Sequence, residues 1–225
     1  MGLTTGSGPF GPHPGGVHNA SAPGRFVLVE PLGRRVRALR DGVTLIDSEG
    51  AALVHASGAL PHYVFPPADV LIDAREDADA PGWVSVPWGA ADAWFEEDER
   101  VLVHPRDPYH RVDTFLTARR VLVRAGGREL ASSTRAHALH ETGLPTRWYL
   151  PRADVRLHEL TRSATMTECP YKGTAHYWSL RGGDERVDVA WSYEDEVRSE
   201  GVPVQWLIAF DDTKVEIDVT PAPLR

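Results

Sequence analysis

The sequence predicts an all-β protein with minor α content, built as two tandem copies of one small antiparallel domain. Three observations carry that prediction. Residues 35–73 and 120–158 align at a constant offset of 85 with no gap, so that Arg35 matches Arg120, Gly42 matches Gly127, Ser48 matches Ser133 and His55 matches His140. That period is too long for a solenoid unit and suits a small domain. Apolar runs are short and broken by turn residues, and no stretch keeps a 3.6-residue apolar period.

The elements follow in order. Residues 1–24 are Gly, Pro, Ser and His with almost nothing to bury, and are expected to form a disordered leader. The first copy, 25–117, opens with a strand over 34–40, a tight Asp41-Gly42 turn and a return strand over 43–46, since Asp-Gly between apolar runs is a strong hairpin signal. The second copy, 118–225, repeats this with 121–124, Gly126-Gly127 and 129–131. Short aromatic strands over 62–65 and 147–150 are stopped by Pro66 and Pro151, which lack the amide a ladder needs. Further strands are expected over 83–88, 175–181 with 186–192 around Gly182-Gly183, 204–210 and 214–219. Residues 51–57 and 135–142 are the two candidates for a short helical turn.

Composition bounds the function. The chain has 225 residues, 42% apolar and 25% charged, as in an ordinary soluble protein. No apolar run is long enough to span a bilayer, and no secretory or myristoylation pattern opens the chain, so a cytoplasmic protein without a membrane partner is expected. The lone Cys169 can form no internal disulfide, which fits a reducing compartment. Acids outnumber bases 32 to 24. The Lys and Arg clusters of a phosphate-binding surface are missing, which argues against nucleic acid. Phosphate-loop, dinucleotide, nucleophile-elbow and zinc-protease motifs are absent, so no cofactor is expected.

Candidate chemistry gathers in the second copy. Tyr149, Tyr171, Trp178 and Trp191 could wall an apolar pocket, or simply fill a core. Arg135, Glu141, Arg147 and Lys172 could anchor an anionic or zwitterionic ligand, or pair with one another at the surface. In Cys169-Pro170-Tyr171-Lys172-Gly173 the proline and glycine shape a tight turn. Lys172 beside Cys169 would favour a thiolate and His176 could act as base, whereas the plain alternative is a structural thiol. His104 to Asp113 and the pair His137 and His140 lack a zinc-ligand spacing, so no metal is expected.

Glu141 to Val155 with Arg135, Cys169 to Gly173, Tyr177-Trp178-Ser179 and Ala190-Trp191-Ser192-Tyr193 resemble the bacterial domain of unknown function 427. His104 to Arg111 resembles the connector of its tandem members, and the resemblance spans about 30–220. It implies a β-tent-like fold, similar to that of methionine-R-sulfoxide reductases and the cereblon ligand-binding domain. Those relatives hold zinc through paired Cys-x-x-Cys motifs, which one cysteine cannot supply. Trp94-Phe95-Glu96-Glu97 stands in the first copy where Trp191-Ser192-Tyr193-Glu194 stands in the second. The resemblance implies no reaction.

Three functions therefore stand as expectations. The first is a small-molecule-binding module, with the pocket in the second copy and a mainly structural first copy. The second is an enzyme in which Cys169 is nucleophile or redox centre, with Lys172, Glu141 and His176 in support. The third is a protein–protein scaffold.

Overall fold

The computed structural model describes residues 2–17, 24–182 and 187–222, so Gly183 and Arg186 of the expected hairpin lie outside the described residues. The protein is all-β, with antiparallel sheets and short 3₁₀ turns. It forms two compact units: Met1–Arg111 with Thr142–Leu144, and Val112–Glu141 with Pro145–Arg225. The division falls after 111, where the sequence reading had 117.

In unit 1 the strands are β1 (Val27–Pro31), β2 (Val36–Arg40), β3 (Val43–Ser48), β4 (Ala52–Ala56), β5 (His62–Val64), β6 (Arg75–Asp77), β7 (Ala80–Ser85), β8 (Ala93–Glu96) and β9 (Glu99–Val101). They make sheets ordered β1-β4-β5, β3-β2-β8-β9 and β6-β7. In unit 2 they are β10 (Val112–Leu116), β11 (Arg120–Ala125), β12 (Arg128–Ser133), β13 (His137–Glu141), β14 (Arg147–Leu150), β15 (Leu160–Cys169), β16 (Gly173–Leu180), β17 (Ala190–Val197), β18 (Ile208–Phe210) and β19 (Glu216–Thr220). One sheet is ordered β10-β13-β14-β18-β17-β16-β15 and the other β12-β11-β19.

The two units pair their strands in matching register. Val36 faces Ser48 as Val121 faces Ser133, and the bulge after Ala38 recurs after Val123. Val27 faces Ala56 as Val112 faces Glu141, and Val54 faces His62 as Leu139 faces Arg147. Gly42 and Gly127 take φ of +76° and +78° in the equivalent hairpin turns, a left-handed conformation that a Cβ disfavours. Pro66 and Pro151 each end an aromatic strand and start a 3₁₀ turn, Pro67–Asp69 and Arg152–Asp154. The aspartates of those turns accept from Ser48 (2.6 Å) and Ser133 (2.7 Å).

Several local expectations differ from the structure. Residues 51–57 and 135–142 hold strands β4 and β13, not helical turns. Every residue of β4 is buried, so its two covered faces hide the alternation that marks a strand. Trp88 lies in a 3₁₀ turn after β7, and residues 199–204 form another before β18. β8 pairs with β2 as β19 pairs with β11, so Trp94 occupies the place of Ile217, not that of Trp191. The leader also makes contacts where none were expected. Leu3 N donates to Asp107 (3.2 Å), Gly58 N donates to the Thr4 carbonyl (2.7 Å), and Phe10 stacks on Phe26 at 4.4 Å.

The units differ most after the 3₁₀ turn. In unit 1 Phe65 bridges to Val84, and in unit 2 its counterpart Leu150 pairs with Ile208. Unit 2 inserts the meander β15-β16-β17 between those points, while unit 1 has the small β6-β7 hairpin. The Cys169 to Gly173 turn joins β15 to β16 and so has no counterpart in unit 1.

Candidate functional site

Side chains on a strand alternate between faces, and this divides the aromatic residues of unit 2. On one face of the large sheet Tyr177 faces Trp191 and Ala175 faces Tyr193, and Tyr149 joins them from β14. Trp178, Ser192 and Glu194 lie on the opposite face, with Trp148 and Trp178 packed on the main core. The expected single concavity of Tyr149, Tyr171, Trp178 and Trp191 is therefore not what the structure builds. Trp178 is separated from Trp191 by the thickness of the sheet.

The Tyr149 face is closed. Tyr149 is 1% exposed, and its hydroxyl accepts from Trp191 Nε1 at 3.0 Å. Burial pushes the Tyr149 and Tyr193 hydroxyls well above the ordinary tyrosine value. The Arg147 guanidinium lies 5.8 Å from the Trp191 ring centre and donates to Asp212 at 2.6 Å. At the turn, Lys172 Nζ meets Glu141 at 2.5 Å, with side chains 6% and 9% exposed. Tyr171 is buried in the same turn. Arg135 is elsewhere: its guanidinium makes a bidentate pair with Asp154, which holds the Asp154 carboxyl below the ordinary range. Of the expected ligand set, Arg147, Tyr149 and Trp191 come together, Glu141 pairs with Lys172, and Arg135 and Trp178 stand apart.

The thiol loses the support expected for it. Cys169 is half-buried and packs with the Tyr149 cluster. His176 lies on the opposite face, opposite Ser192 and Met166, and cannot serve Cys169 as base. The Lys172 ammonium is engaged by Glu141. His137 and His140 point to opposite faces of β13, and His140 bonds to Thr146. Among the described residues no three His, Cys, Asp or Glu side chains group as metal ligands.

A more open site lies on the Trp178 face, among residues that the sequence reading left out. Glu194 is 3% exposed and takes both Arg152 and Arg162, the latter at 2.8 Å. Ser192 donates to the same carboxylate at 2.7 Å and accepts from Trp178 Nε1 at 3.3 Å. Burial pushes the Glu194 carboxyl up, but Ser192 and the two guanidinium groups outweigh it and leave its pKa below the ordinary value. Arg152 lies 5.3 Å from the Trp178 ring centre and 5.6 Å from that of Trp206, and Arg162 lies 5.8 Å from Trp178. Arg152 Nε also donates to the Trp206 carbonyl at 3.0 Å. The sequence signal that could have found this site is the alternation Ser192, Glu194 on the strand beside Trp178.

The profile of a family described as a domain of unknown function (DUF427) matches residues 113–220, which span most of unit 2. No curated protein matches the chain. No helix among the described residues is long and apolar enough to cross a membrane.

Proposed function

We propose that unit 2 is a binding module for a small organic anion with a planar body, taken up on the Trp178–Trp206 face. Trp206 is the observation that supports this best. It is 48% exposed and held at φ +65°, a conformation that is an outlier for a bulky side chain. Strain of this kind persists where the surroundings enforce it, and it gathers at functional sites. Here it presents an indole beside the Arg152 guanidinium, which also lies over Trp178. The buried Glu194 fixes both guanidinium groups but does not exhaust their donors. Among the described residues, Arg152 Nη1 and Arg162 Nη2 have no acceptor, so both stay available to an incoming carboxylate or phosphate. The cluster carries two cations against one anion, and its rings offer a stacking surface.

We also infer that the two units descend from one duplicated segment. The matching registers, bulges and Ser–Asp pairs support that reading. The lone cysteine is compatible with a reducing, cytoplasmic compartment.

Fluorescence titration of the whole protein with phenyl phosphate tests the binding reading. Saturable quenching is expected, about tenfold weaker in Arg162→Gln, as befits loss of a charge-assisted hydrogen bond. The fold should survive with a modest fall in melting temperature, since Arg152 and Ser192 still hold the Glu194 carboxylate. Absence of saturable change at millimolar concentration, or equal affinity in the variant, overturns the proposal.

A further inference from the structure

Unit 1 holds a cleft of about 610 Å³ lined by His62, Asp73, Ala74, Arg75, Ser85, Val86, Pro87 and Trp88. That volume lies within the roughly 300–1,000 Å³ typical of small-molecule sites. The β6-β7 hairpin shapes it, with Arg75 directly opposite Ser85.

Each wall has a defined chemistry. The His62 ring meets Asp77 through Nε2 at 2.9 Å, and the Asp77 side chain is 10% exposed. In the tautomer with Nε2–H donating to that carboxylate, Nδ1 is an acceptor. Burial pushes the Asp77 carboxyl up, but hydrogen bonds from His62, Ser85 and the Asp79 amide outweigh it and hold its pKa below the ordinary value. Asp77 is thus a fixed anion that orients the imidazole. Trp88 stacks on the buried Trp94 at 4.9 Å and 10°, and Trp94 Nε1 donates to the Trp88 carbonyl at 2.9 Å. The indole wall is therefore rigid. Among the described residues the side chains of Arg75 and Asp73 make no hydrogen bond or ion pair, so the cleft presents one uncommitted cation and one uncommitted anion.

The same place in unit 2 is filled. His62 corresponds to Arg147, and Val84 to Ile208, which puts Trp88 in the position of Asp212. In unit 2 Arg147 and Asp212 pair at 2.6 Å across a pocket of about 110 Å³. Among the described residues unit 1 has no such ion pair at this place, and its cleft is walled in addition by residues 73–75 and 85–87 around the β6-β7 hairpin.

We propose that the unit 1 cleft binds a small zwitterion with an apolar body, of the α-amino-acid class. Arg75 takes the carboxylate, Asp73 and His62 Nδ1 take the ammonium, and Trp88 packs the body. An anion alone would leave Asp73 against it, and a cation alone would meet Arg75. Unit 1 then carries a site of its own, in contrast to a merely structural copy.

The test is chemical-shift mapping on the ¹⁵N-labelled full chain with three probes: phenylalanine, N-acetylphenylalanine and phenylalaninamide. Saturable shifts with phenylalanine are expected at 62, 73–77, 85, 86 and 88, with each blocked analogue at least about tenfold weaker. Arg75→Gln and Asp73→Asn, both at exposed residues, should weaken phenylalanine about tenfold while the spectrum stays folded. Shifts confined to unit 2, equal binding of either analogue, or unchanged affinity in both variants would overturn the proposal. Failure at the Trp206 face leaves these shifts untouched, so the two proposals fail separately.

Discussion

Replacing Lys172 by methionine leaves Glu141 as a buried carboxylate without its ammonium. The pair is 2.5 Å apart, and both side chains are at most 9% exposed. At an effective dielectric of about 20 the gross attraction is about 7 kcal/mol, against a desolvation cost of several kcal/mol per ion. The pair itself therefore nets little, but removal of the ammonium takes away its share of the compensation for burying the Glu141 carboxylate. A loss of about 3–5 kcal/mol is expected for Lys172→Met. For a unit of this size that lowers the melting temperature by more than about 10 °C. The double variant Lys172→Met, Glu141→Leu should recover most of the loss, because no buried charge remains. Urea unfolding followed by tryptophan fluorescence reads this out, since unit 2 holds Trp148, Trp178, Trp191 and Trp206. A single-variant cost below about 1 kcal/mol, or a double variant no better than the single, would refute the reasoning.

Four further outcomes are expected. Ser48→Ala and Ser133→Ala should each cost about 1–2 kcal/mol, because both remove a buried hydroxyl from the aspartate of a 3₁₀ turn; unequal costs by denaturant titration would count against equivalent roles. Gly173→Ala should cost more than about 2 kcal/mol, since its φ is +99° and a Cβ would stand 2.2 Å from the Glu196 carbonyl; a wild-type melting curve would contradict this. Trp191→Ala should cost about 3 kcal/mol in stability and change phenyl phosphate affinity little, as its indole packs on the closed face and donates to Tyr149. Asp154 has a folded pKa below its ordinary 3.8, through the Arg135 hydrogen bonds first. Its stabilisation is thus present above the unfolded pKa and is lost as pH falls through the folded one. Asp154→Asn should flatten acid unfolding in that window, and an unchanged acid midpoint would exclude the contribution.

The strand and turn plan was legible because it rests on local chemistry. Asp41-Gly42 and Gly126-Gly127 announce hairpins through the left-handed φ they permit, and Pro66 and Pro151 announce strand ends through the amide they lack. β4 was misread as a helical turn because burial on both faces removes the period-two pattern, and β13 because its short run His137–Glu141 shows no clean alternation either. The likeness of Trp94-Phe95-Glu96 to Trp191-Ser192-Tyr193 was local too. Pairing with β2 decides where β8 sits, and pairing is a long-range property that a run of four residues does not encode.

The site was less legible, for a reason contained in the strand itself. Trp178 and Trp191 read as partners because both are large and both lie in adjacent strands. Yet facing residues are Tyr177 with Trp191 and Trp178 with Ala190, so one residue of register sends the two indoles to opposite sides. The same register gathers Trp178, Ser192 and Glu194, three residues whose types alone name no chemistry. Only when Arg152 arrives from the 3₁₀ turn and Arg162 from β15 does Glu194 become the anchor of a charged, aromatic face. Likewise in unit 1, His62 and Asp77 lie on different strands, and the hairpin brings them to 2.9 Å. Chemistry assembled across strands is invisible to motif spacing. It becomes readable from sequence where register is fixed independently, and the matching pairings in the two units supply that constraint for the first five strands of each.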